Sequence, residues 1–393
     1  MKSLASILFT LISLTAVAQY SVQGHVIDGE TNTPLPGANV FIAKSTYGVS
    51  TNADGAFTIK GLLPVHYDLV VSFVGYGTQV FDVVPGQGIS YRVILKPSAK
   101  TLNEVVIKAR KRSRSEWLAN FKIFKERFVG LSDNSKLCSF ENAGVLSFEN
   151  EVGVLKAFAD SALVLVNKGL GYRIKVLLSK YEFNIMTYRV HYEGQIVYEP
   201  LVPANQAEKI QWARNRIKAY YGSEMHFLRS LYRENLNEDG YYFNLINEVN
   251  LGLPGGIKRV GYSDSVKAPR SPIYNNKRIR MPTITNYNRI LDSLSLVENP
   301  EEPLLNFQGE LELQYIMEAE SNDYQTNRGQ RTEKIPQRSM IKLHKPAIVQ
   351  SHGQIYPQDA IETKGYWSWE LMAESLPLDY QPDADEKLVN KPK

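Results

Sequence analysis

Residues 22–96 consist of short stretches in which apolar and polar residues alternate, separated by turns rich in Gly, Pro and Asn. Alternation with a period of two is typical of β-strands that bury one face. Turns are predicted at residues 34–37 and 52–55, and Gly55 in the second turn supplies the positive φ angle that a tight hairpin requires. Short strands at this spacing predict an antiparallel β-sandwich over this part of the chain.

The same segment contains four motifs in a fixed order: Gly24-x-Val26-x-Asp28, Pro34-Leu-Pro-Gly-Ala-Asn-Val40, Thr51-Asn-x-Asp-Gly-x-Phe57 and Val74-Gly-Tyr76. Together, over residues 20–97, they resemble the carboxypeptidase-regulatory-like domain, whose fold is a transthyretin-like sandwich. The chain from residue 117 onward is similar to an uncharacterised envelope-protein region that often follows this module in Gram-negative bacteria. These resemblances imply a sandwich module and a cell-envelope setting, and they imply no known chemistry.

The first 18 residues have the composition of a secretory signal peptide. Lys2 precedes an apolar run from residue 4 to residue 14, and the small residues Ala16 and Ala18 stand before Gln19. The run is shorter than the roughly 20 residues that cross a membrane, and no cysteine stands at the cleavage site. We therefore expect an exported protein that begins at residue 19, in the periplasm or associated with the outer membrane, without a lipid anchor or a transmembrane span.

Two segments are predicted to lack a fixed fold: a linker at residues 98–116 and a polar, proline-containing tail at residues 381–393. Residues 102–107 look like the segment that follows the same module in TonB-dependent receptors, but the remaining chain is too short for a barrel of about 22 strands. Basic side chains are concentrated at the end of the linker, at Lys108, Arg110, Lys111, Arg112 and Arg114. A solvated linker and a site for an anionic lipid or glycan both stay open as interpretations.

Residues 117–380 are predicted to form a larger α+β domain. Trp117, Phe121, Phe124 and Phe128 recur at the spacing of one helix face, and Gly130 ends that helix. Alternation predicts strands at residues 144–148, 152–158, 163–166, 172–178, 181–192 and 195–198, with turns at residues 160–161, 167–169 and 193–194. Connections this short join antiparallel neighbours. The predicted fold class is therefore mainly β: a sandwich, then antiparallel strands with one long helical segment.

The long helical segment spans residues 204–234, and Gly222 predicts a kink or a division into two helices. Its apolar stripe is interrupted only by Glu224, and a carboxylate in such a position needs a partner. Arg214, Arg216 or an arginine of the sheet is the expected partner. A structural ion pair and general-base catalysis are both compatible with this pattern.

Two groups of residues are candidates for ligand contact. The irregular segment 258–289 holds eight basic residues against one acidic residue. Lys277, Arg278 and Arg280 belong to it, and they could form an anion-binding edge or a solvated loop. Trp367 and Trp369 could stack on sugar rings or pack in the core.

Sequence motifs for the common catalytic sites are absent. None of the six histidines stands three residues before a glutamate, as in the His-x-x-Glu of metallocarboxypeptidases, and neither His-Glu-x-x-His nor Gly-x-Ser-x-Gly occurs. We therefore predict no metal site and no cofactor. Cys138 is the only cysteine and is expected to be a small buried hydrophobe. The formal net charge of +4 is close to neutral for this length, and no nucleic-acid partner is expected.

The sequence thus favours a non-catalytic, exported binding or scaffolding protein of the Gram-negative cell envelope. Its expected contacts are a protein partner, a glycan or an anionic surface. The alternative is a hydrolase that acts on envelope polysaccharide or peptide through residues 117–380, with Glu224 and His226 in its polar site. A pocket on which both side chains converge would favour the hydrolase, and burial of Glu224 against an arginine would oppose it.

Overall fold

The computed structural model describes residues 20–86, 88–98, 113–250, 257–261, 273–274, 277–278, 303–307 and 309–390. The predicted signal peptide and most of the predicted linker lie outside these residues, and both stay predictions. Within the described chain β-strands predominate, so the mainly β fold class is confirmed.

The N-terminal sandwich comprises β1 (Tyr20–Asp28), β2 (Asn39–Ile42), β3 (Gly48–Ser50), β4 (Ala56–Leu62), β5 (Tyr67–Ser72), β6 (Gln79–Val83) and β7 (Ser90–Leu95). The strands form two sheets, with the orders β4-β1-β7 and β3-β2-β5-β6. Strands β1 and β7 run parallel, whereas the pairs β1–β4, β2–β3, β2–β5 and β5–β6 are antiparallel. Gly55 adopts the predicted positive φ, +70°, and a Cβ there would lie 2.4 Å from the Val26 carbonyl oxygen.

The two sheets of the sandwich bury their inward-facing residues against each other, as the period of two predicts. On β4, for example, Phe57 and Ile59 are buried while Thr58 and Lys60 are exposed. The sandwich core consists of Val22, Val26, Leu35, Ala38, Val40, Ile42, Phe57, Ile59, Leu62, Tyr67, Leu69, Val71, Val83, Val93 and Leu95.

Helix α1 (Arg114–Phe128) packs on a second body of strands, which we call the central sheet. Ser113 caps α1 by accepting a hydrogen bond from the Glu116 amide (3.2 Å), and Gly130, with φ +103°, follows the end of the helix. Phe124 and Phe128 of α1 are buried in the core of this sheet. The central sheet has the order β8-β11-β12-β10-β9, with β13 on β12. Its strands are β8 (Cys138–Phe140), β9 (Leu146–Glu151), β10 (Val154–Ala159), β11 (Leu163–Asn167), β12 (Tyr172–Asn184) and β13 (Arg189–Pro200).

The hairpin between β12 and β13 turns at residues 185–188, and the predicted turn at residues 193–194 is wrong. The side-chain oxygen of Asn184 makes this turn by accepting hydrogen bonds from the amides of Met186 (3.0 Å) and Thr187 (2.9 Å). Gly194 instead lies inside β13, where a Cβ would be 2.7 Å from a carbonyl oxygen of β12. A glycine that permits close approach of two strands has the same local signature as a turn glycine. With the turn at this position, β13 pairs with β12 from Arg189 to Pro200.

The long helical segment is divided into α2 (Gln206–Tyr220) and α3 (Glu224–Tyr232), at the predicted place. Gly222 has φ +89°, and a Cβ there would lie 2.6 Å from the side-chain oxygen of Gln337, so a larger residue is strained at this position. Ser223 caps α3, because its hydroxyl accepts a hydrogen bond from the His226 amide (3.1 Å). The division lets α2 pack against the central sheet while α3 buries its apolar residues in the next core.

The sheet that we call the C-terminal sheet has the order β15-β14-β19-β20-β23, and α3 shares its hydrophobic core. A smaller sheet, β18-β21-β22, and a short pair, β16–β17, accompany it. The strands are β14 (Tyr241–Asn250), β15 (Ile257–Gly261), β16 (Ile273–Tyr274), β17 (Lys277–Arg278), β18 (Leu304–Leu305), β19 (Glu310–Ala319), β20 (Pro336–Leu343), β21 (Ala347–Val349), β22 (Ile355–Tyr356) and β23 (Ile361–Gly365). Helix α4 (Asn322–Asn327) joins β19 to β20, and 3-10 helices span Asp133–Leu137, Ala143–Val145 and Gln358–Ala360.

The predicted disordered tail contains a helix, α5 (Pro382–Val389), so that prediction is wrong for these residues. Asp385 forms a two-point ion pair with the guanidinium of Arg216 on α2, at 2.7 and 2.9 Å. The Glu386 carboxylate accepts a hydrogen bond from the Tyr221 hydroxyl (2.6 Å). The partners of α5 lie more than 160 residues earlier in the chain, so its polar local sequence does not reveal that it is held in place.

The sandwich is joined to the central sheet by main-chain hydrogen bonds. The Lys44 amide donates to the Ile196 carbonyl (2.6 Å), and the Tyr198 amide donates to the Ser45 carbonyl (2.9 Å). Apolar side chains of both bodies meet beside these bonds; they are Phe41, Ala43 and Val70 from the sandwich and Leu177 and Val197 from the central sheet. The loop after β2 is therefore fixed on the second part of the chain, although the domain boundaries themselves stay predictions.

Candidate functional site

A cleft of about 1230 Å³ lies between the central sheet and the C-terminal sheet. Its walls come from the end of α1, the start of α3, the β12–β13 hairpin, β23 and the segment that follows β23. Residues 187–192, at the β12–β13 turn and the start of β13, form one wall. Aromatic and charged side chains line much of the cleft, among them Arg127, Tyr188, Tyr192, Glu224, Tyr324, Arg328, Trp367, Trp369, Glu370 and Glu374.

Aromatic rings held by their neighbours line part of this cleft. The ring of Trp369 meets that of Tyr324 edge to face, with 5.6 Å between centroids. The guanidinium of Arg328 lies 5.2 Å from the Tyr324 ring centroid. In the same way, the guanidinium of Arg127 lies 5.1 Å from the ring centroid of Tyr188. Tyr324 is buried and supports its neighbours, whereas Trp369 and Tyr188 are partly exposed. Exposed rings that are already ordered can stack on a flat ligand face at little further cost in conformational entropy.

Glu224 is the first residue of α3, and its carboxylate reaches the cleft. Burial raises the pKa of this carboxyl, and the positive charge of Lys44 partly opposes the shift. Lys44 arrives from the sandwich in a left-handed backbone conformation (φ +57°), and burial lowers the pKa of its ammonium. Arg216, one of the expected partners, binds Asp385 instead. The cation that acts on Glu224 comes from the sandwich, 180 residues earlier in the chain, which no helix pattern could show.

His226, in the first turn of α3, points into the protein core and is 2% exposed. Its Nδ1 accepts a hydrogen bond from the Gly222 amide (3.2 Å) and lies 3.0 Å from the Tyr241 hydroxyl. Its Nε2 lies 3.8 Å from the Asp239 carboxylate. Burial lowers the pKa of the ring to about 4, which keeps it neutral at physiological pH. Glu224 and His226 thus point to different surroundings and do not converge on one pocket.

Glu370 and Glu374, which the sequence analysis did not identify as candidate site residues, also line the cleft. Burial raises the pKa of Glu370 well above its ordinary value, and the negative charges of Glu374 and Glu318 raise it further. Burial also raises the pKa of Glu374, although hydrogen bonds from the Ser132 hydroxyl and from the Asn134 amide (2.7 Å) oppose this shift. Carboxyl groups that retain protons can donate as well as accept hydrogen bonds toward a ligand. Their four-residue spacing beside an aromatic cluster was the only sequence signal.

The two candidate tryptophans differ in their surroundings. Trp367 is 8% exposed, packs 5.6 Å from Phe227 between ring centroids, and donates its indole N–H to the Gly222 carbonyl (2.6 Å). It therefore belongs mainly to the core of the C-terminal sheet, with one edge in the cleft wall. Trp369 is half-buried and presents its ring at the cleft. Of the two, Trp369 has the geometry to meet a ligand.

The basic candidates lie mostly outside the described residues. Lys277 and Arg278 form β17, which pairs with β16, and Arg280 is not described. Their proposed role with an anionic surface stays a prediction.

Among the described residues, no group of three or more His, Cys, Asp or Glu side chains is placed to hold a metal ion. No helix among the described residues is long and apolar enough to span a membrane. Cys138 is buried, and burial raises the pKa of its thiol to about 12, so it is protonated and inert at physiological pH.

The N-terminal sandwich defines the class of module that this chain carries: residues 22–107 match the family model of the CarboxypepD_reg-like domain. The resemblance of the motifs at residues 24–76 is thereby confirmed.

Two curated relatives match the same part of the chain. The TonB-dependent receptor P39 of Formosa agariphila is 35% identical over 109 residues, which are 27% of this chain and 10% of the receptor. The TonB-dependent receptor SusC of Bacteroides thetaiotaomicron is 33% identical over 96 residues, which are 24% of this chain and 9% of the receptor. The chain thus spans about a tenth of the length of these relatives.

Among solved structures, a type II cohesin–X-dockerin complex from Acetivibrio cellulolyticus is similar at 18% identity over 20% of this chain and 58% of that chain, with a TM-score of 0.18. A TM-score this low does not indicate a common overall fold. The similarity to the two receptors thus covers about a quarter of this chain, and it gives no information about the cleft.

Proposed function

We propose that this chain is a non-catalytic, exported binding protein of the Gram-negative cell envelope that holds a glycan in the cleft. The observation that carries the proposal is the cleft itself, in which ordered aromatic rings stand beside hydrogen-bonding carboxyl groups. Sugars offer both an apolar ring face and a rim of hydroxyl groups, and these match the two kinds of side chain. A volume above the roughly 300–1,000 Å³ of ordinary small-molecule sites favours an oligosaccharide.

An envelope location is supported by the proteins in which a similar sandwich module occurs. The matched segment is shared with two proteins named as TonB-dependent receptors, although it is a small part of each. The predicted signal peptide at residues 1–18 agrees with export. A scaffolding role, in which the sandwich or the cleft contacts a protein partner, is compatible with the same location.

The glycan proposal is tested by calorimetric titration of the full chain with oligosaccharides released from envelope polysaccharide and peptidoglycan. Trp369→Ala should weaken binding by about tenfold to a hundredfold, because an anchoring aromatic ring at the centre of a site carries a large share of the affinity. Tyr242→Ala is the matched control, since Tyr242 is a half-buried ring on β14 that does not line the cleft. Equal affinity of both variants and the unaltered chain, or no binding of any oligosaccharide, would overturn the proposal.

The hydrolase is kept as a second candidate because of the raised pKa values of Glu224, Glu370 and Glu374 in one cleft. Carboxyl groups whose pKa values are raised in a cleft are candidate general acids. His226 cannot take part from its buried position, so the acid would be one of these glutamates. Release of reducing ends or amines from envelope material by the full chain, abolished by Glu370→Gln, would favour this candidate. Intact material after prolonged incubation would leave binding alone.

A further inference from the structure

Two neighbouring turns at one end of the central sheet carry exposed apolar side chains, which we call the tip patch: Val152, Ile185, Met186 and Tyr188. Val152, between β9 and β10, is fully exposed; the other three, between β12 and β13, are 42%, 83% and 66% exposed. The turns are in contact, because the Ile185 amide donates a hydrogen bond to the Gly153 carbonyl (2.8 Å). An added Cβ on Gly153 would lie 3.7 Å from Met186 Cγ. The four side chains therefore form one projecting surface.

The backbone of these turns does not require apolar side chains. The Asn184 side chain already satisfies the amides of residues 186 and 187. Tyr188 has φ +56°, a left-handed conformation in which Asn, Asp or Gly is ordinarily found. A large aromatic residue there is disfavoured by local sterics, and exposed apolar side chains at adjacent turns also favour aggregation. The Tyr188 ring contacts Phe183 and Arg127 within the chain, but the turn geometry gives no reason for the exposed apolar side chains of Val152, Ile185 and Met186.

We propose that the tip patch inserts into the interface of a lipid leaflet. Its size opposes a stable protein partner, because two short turns cannot supply the roughly 20–30 residues that each side of such an interface needs. Its composition suits lipid: Val152, Ile185 and Met186 carry exposed aliphatic or thioether side chains, and Tyr188 is of a residue type enriched at membrane interfaces. Insertion of a few such side chains gives a weak, reversible attachment.

The charges around the tip patch agree with contact to phosphate headgroups. The guanidinium of Arg127 lies 5.1 Å from the Tyr188 ring centroid, so a cation adjoins the tip patch. Two of the nearby acids are paired: Glu151 with Lys156 (2.6 Å) and Glu182 with Lys180 (3.3 Å). These ion pairs reduce the negative field that the tip presents to an anionic leaflet.

The tip patch also adjoins the cleft, whose wall includes residues 187–189. Attachment through the patch would hold the cleft mouth close to the membrane surface. The inference does not depend on the cleft ligand, since it rests on exposure, turn geometry and charge at the hairpin ends.

The test is flotation of the full chain with vesicles of phosphatidylethanolamine and phosphatidylglycerol. The double variant Val152→Ser/Met186→Ser should bind the vesicles at least about tenfold more weakly than the unaltered chain, since each apolar side chain withdrawn from water contributes strongly to partitioning. Val74→Ser/Val202→Ser is the matched control, because these valines are 93% and 91% exposed but lie elsewhere. It should float like the unaltered chain. Absence of vesicle binding by the unaltered chain, or equal binding by both double variants, would overturn the proposal.

A second measurement separates insertion from surface adsorption and from self-association. Met186→Trp should show blue-shifted emission on addition of the vesicles and quenching by lipids brominated near the headgroup. An emission spectrum that vesicles leave unchanged would refute insertion. If sedimentation velocity instead showed a dimer that the tip-patch variant dissociates, while vesicles bound neither form, a second copy would occupy the patch and the lipid proposal would be wrong. Unaltered glycan titration by the tip-patch variant keeps this result distinct from the cleft proposal.

Discussion

Arg229 of α3 is a buried cation that holds three main-chain carbonyl groups, and its replacement by methionine should destabilise the whole C-terminal part of the chain. The side chain is 3% exposed. Nε donates to the His352 carbonyl (3.0 Å), Nη1 to Tyr380 (2.9 Å) and Nη2 to Leu378 (2.9 Å). Between the last two residues lies Asp379, whose carboxylate accepts a hydrogen bond from the Thr46 amide (2.8 Å) of the sandwich.

The magnitude follows from the acceptors that Arg229→Met would leave behind. Methionine fills much of the same volume but donates no hydrogen bond, so three buried carbonyl oxygens lose their partner. Each unsatisfied group costs about 1–3 kcal/mol, and relaxation of the irregular segment at residues 378–380 favours the lower end. We expect a loss of about 3–5 kcal/mol in the free energy of unfolding, a large fraction of the total for a natural protein.

Thermal and denaturant unfolding of the full chain measure this loss. Arg233→Met is the matched control, because Arg233 lies one turn later, its side chain is 52% exposed, and its contact with Asp239 is 3.3 Å long; it should cost less than about 1 kcal/mol. Arg229→Lys should lie between the two, since an ammonium keeps the charge but cannot reach three acceptors as the planar guanidinium does. Arg229→Met within about 1 kcal/mol of the control would refute the reasoning.

Three further predictions concern the cleft, the helix division and the C-terminal helix. The pKa of Glu370 is raised above its ordinary value of 4.5, so the stability linked to its protonated form is fully present below that pH and is lost as the pH rises. Glu370→Gln should therefore have the same denaturant midpoint as the unaltered chain near pH 4 and a higher midpoint at pH 7–8. A difference in midpoint that did not change with pH would contradict this. Gly222→Ala should lower stability by about 2 kcal/mol or more, measured by calorimetry, because the left-handed φ and the contact with Gln337 both oppose a Cβ, whereas Gly329→Ala, left-handed but in open space, should cost about 1 kcal/mol. Asp385→Asn should release α5 and hasten proteolytic cleavage after residue 381, while Asp383→Asn, exposed on the same helix, should not; equal cleavage of both would argue against the Arg216 ion pair as the anchor.

Local features of the fold could be predicted because neighbouring residues determine them. The alternation at residues 57–60 gives one buried and one exposed face, and Gly55 and Gly222 stand where the backbone needs a positive φ angle. The same local logic failed at Gly194, since a close strand approach and a turn both favour glycine. It also failed at residues 382–389, because a short polar helix depends on what it binds.

The sequence by itself determined the module at residues 22–96, the mainly β class and the division of the long helical segment. Only the tertiary structure decided the candidate site: Lys44 of the sandwich partly opposes the rise in the pKa of Glu224, His226 faces the core, and Glu370 and Glu374 share the cleft with Trp369. The physical reason is the distance along the chain over which each effect acts. Strand period, turn chemistry and helix caps act over a few residues, whereas burial and electrostatic effects on a pKa depend on groups that the fold brings together from distant parts of the chain.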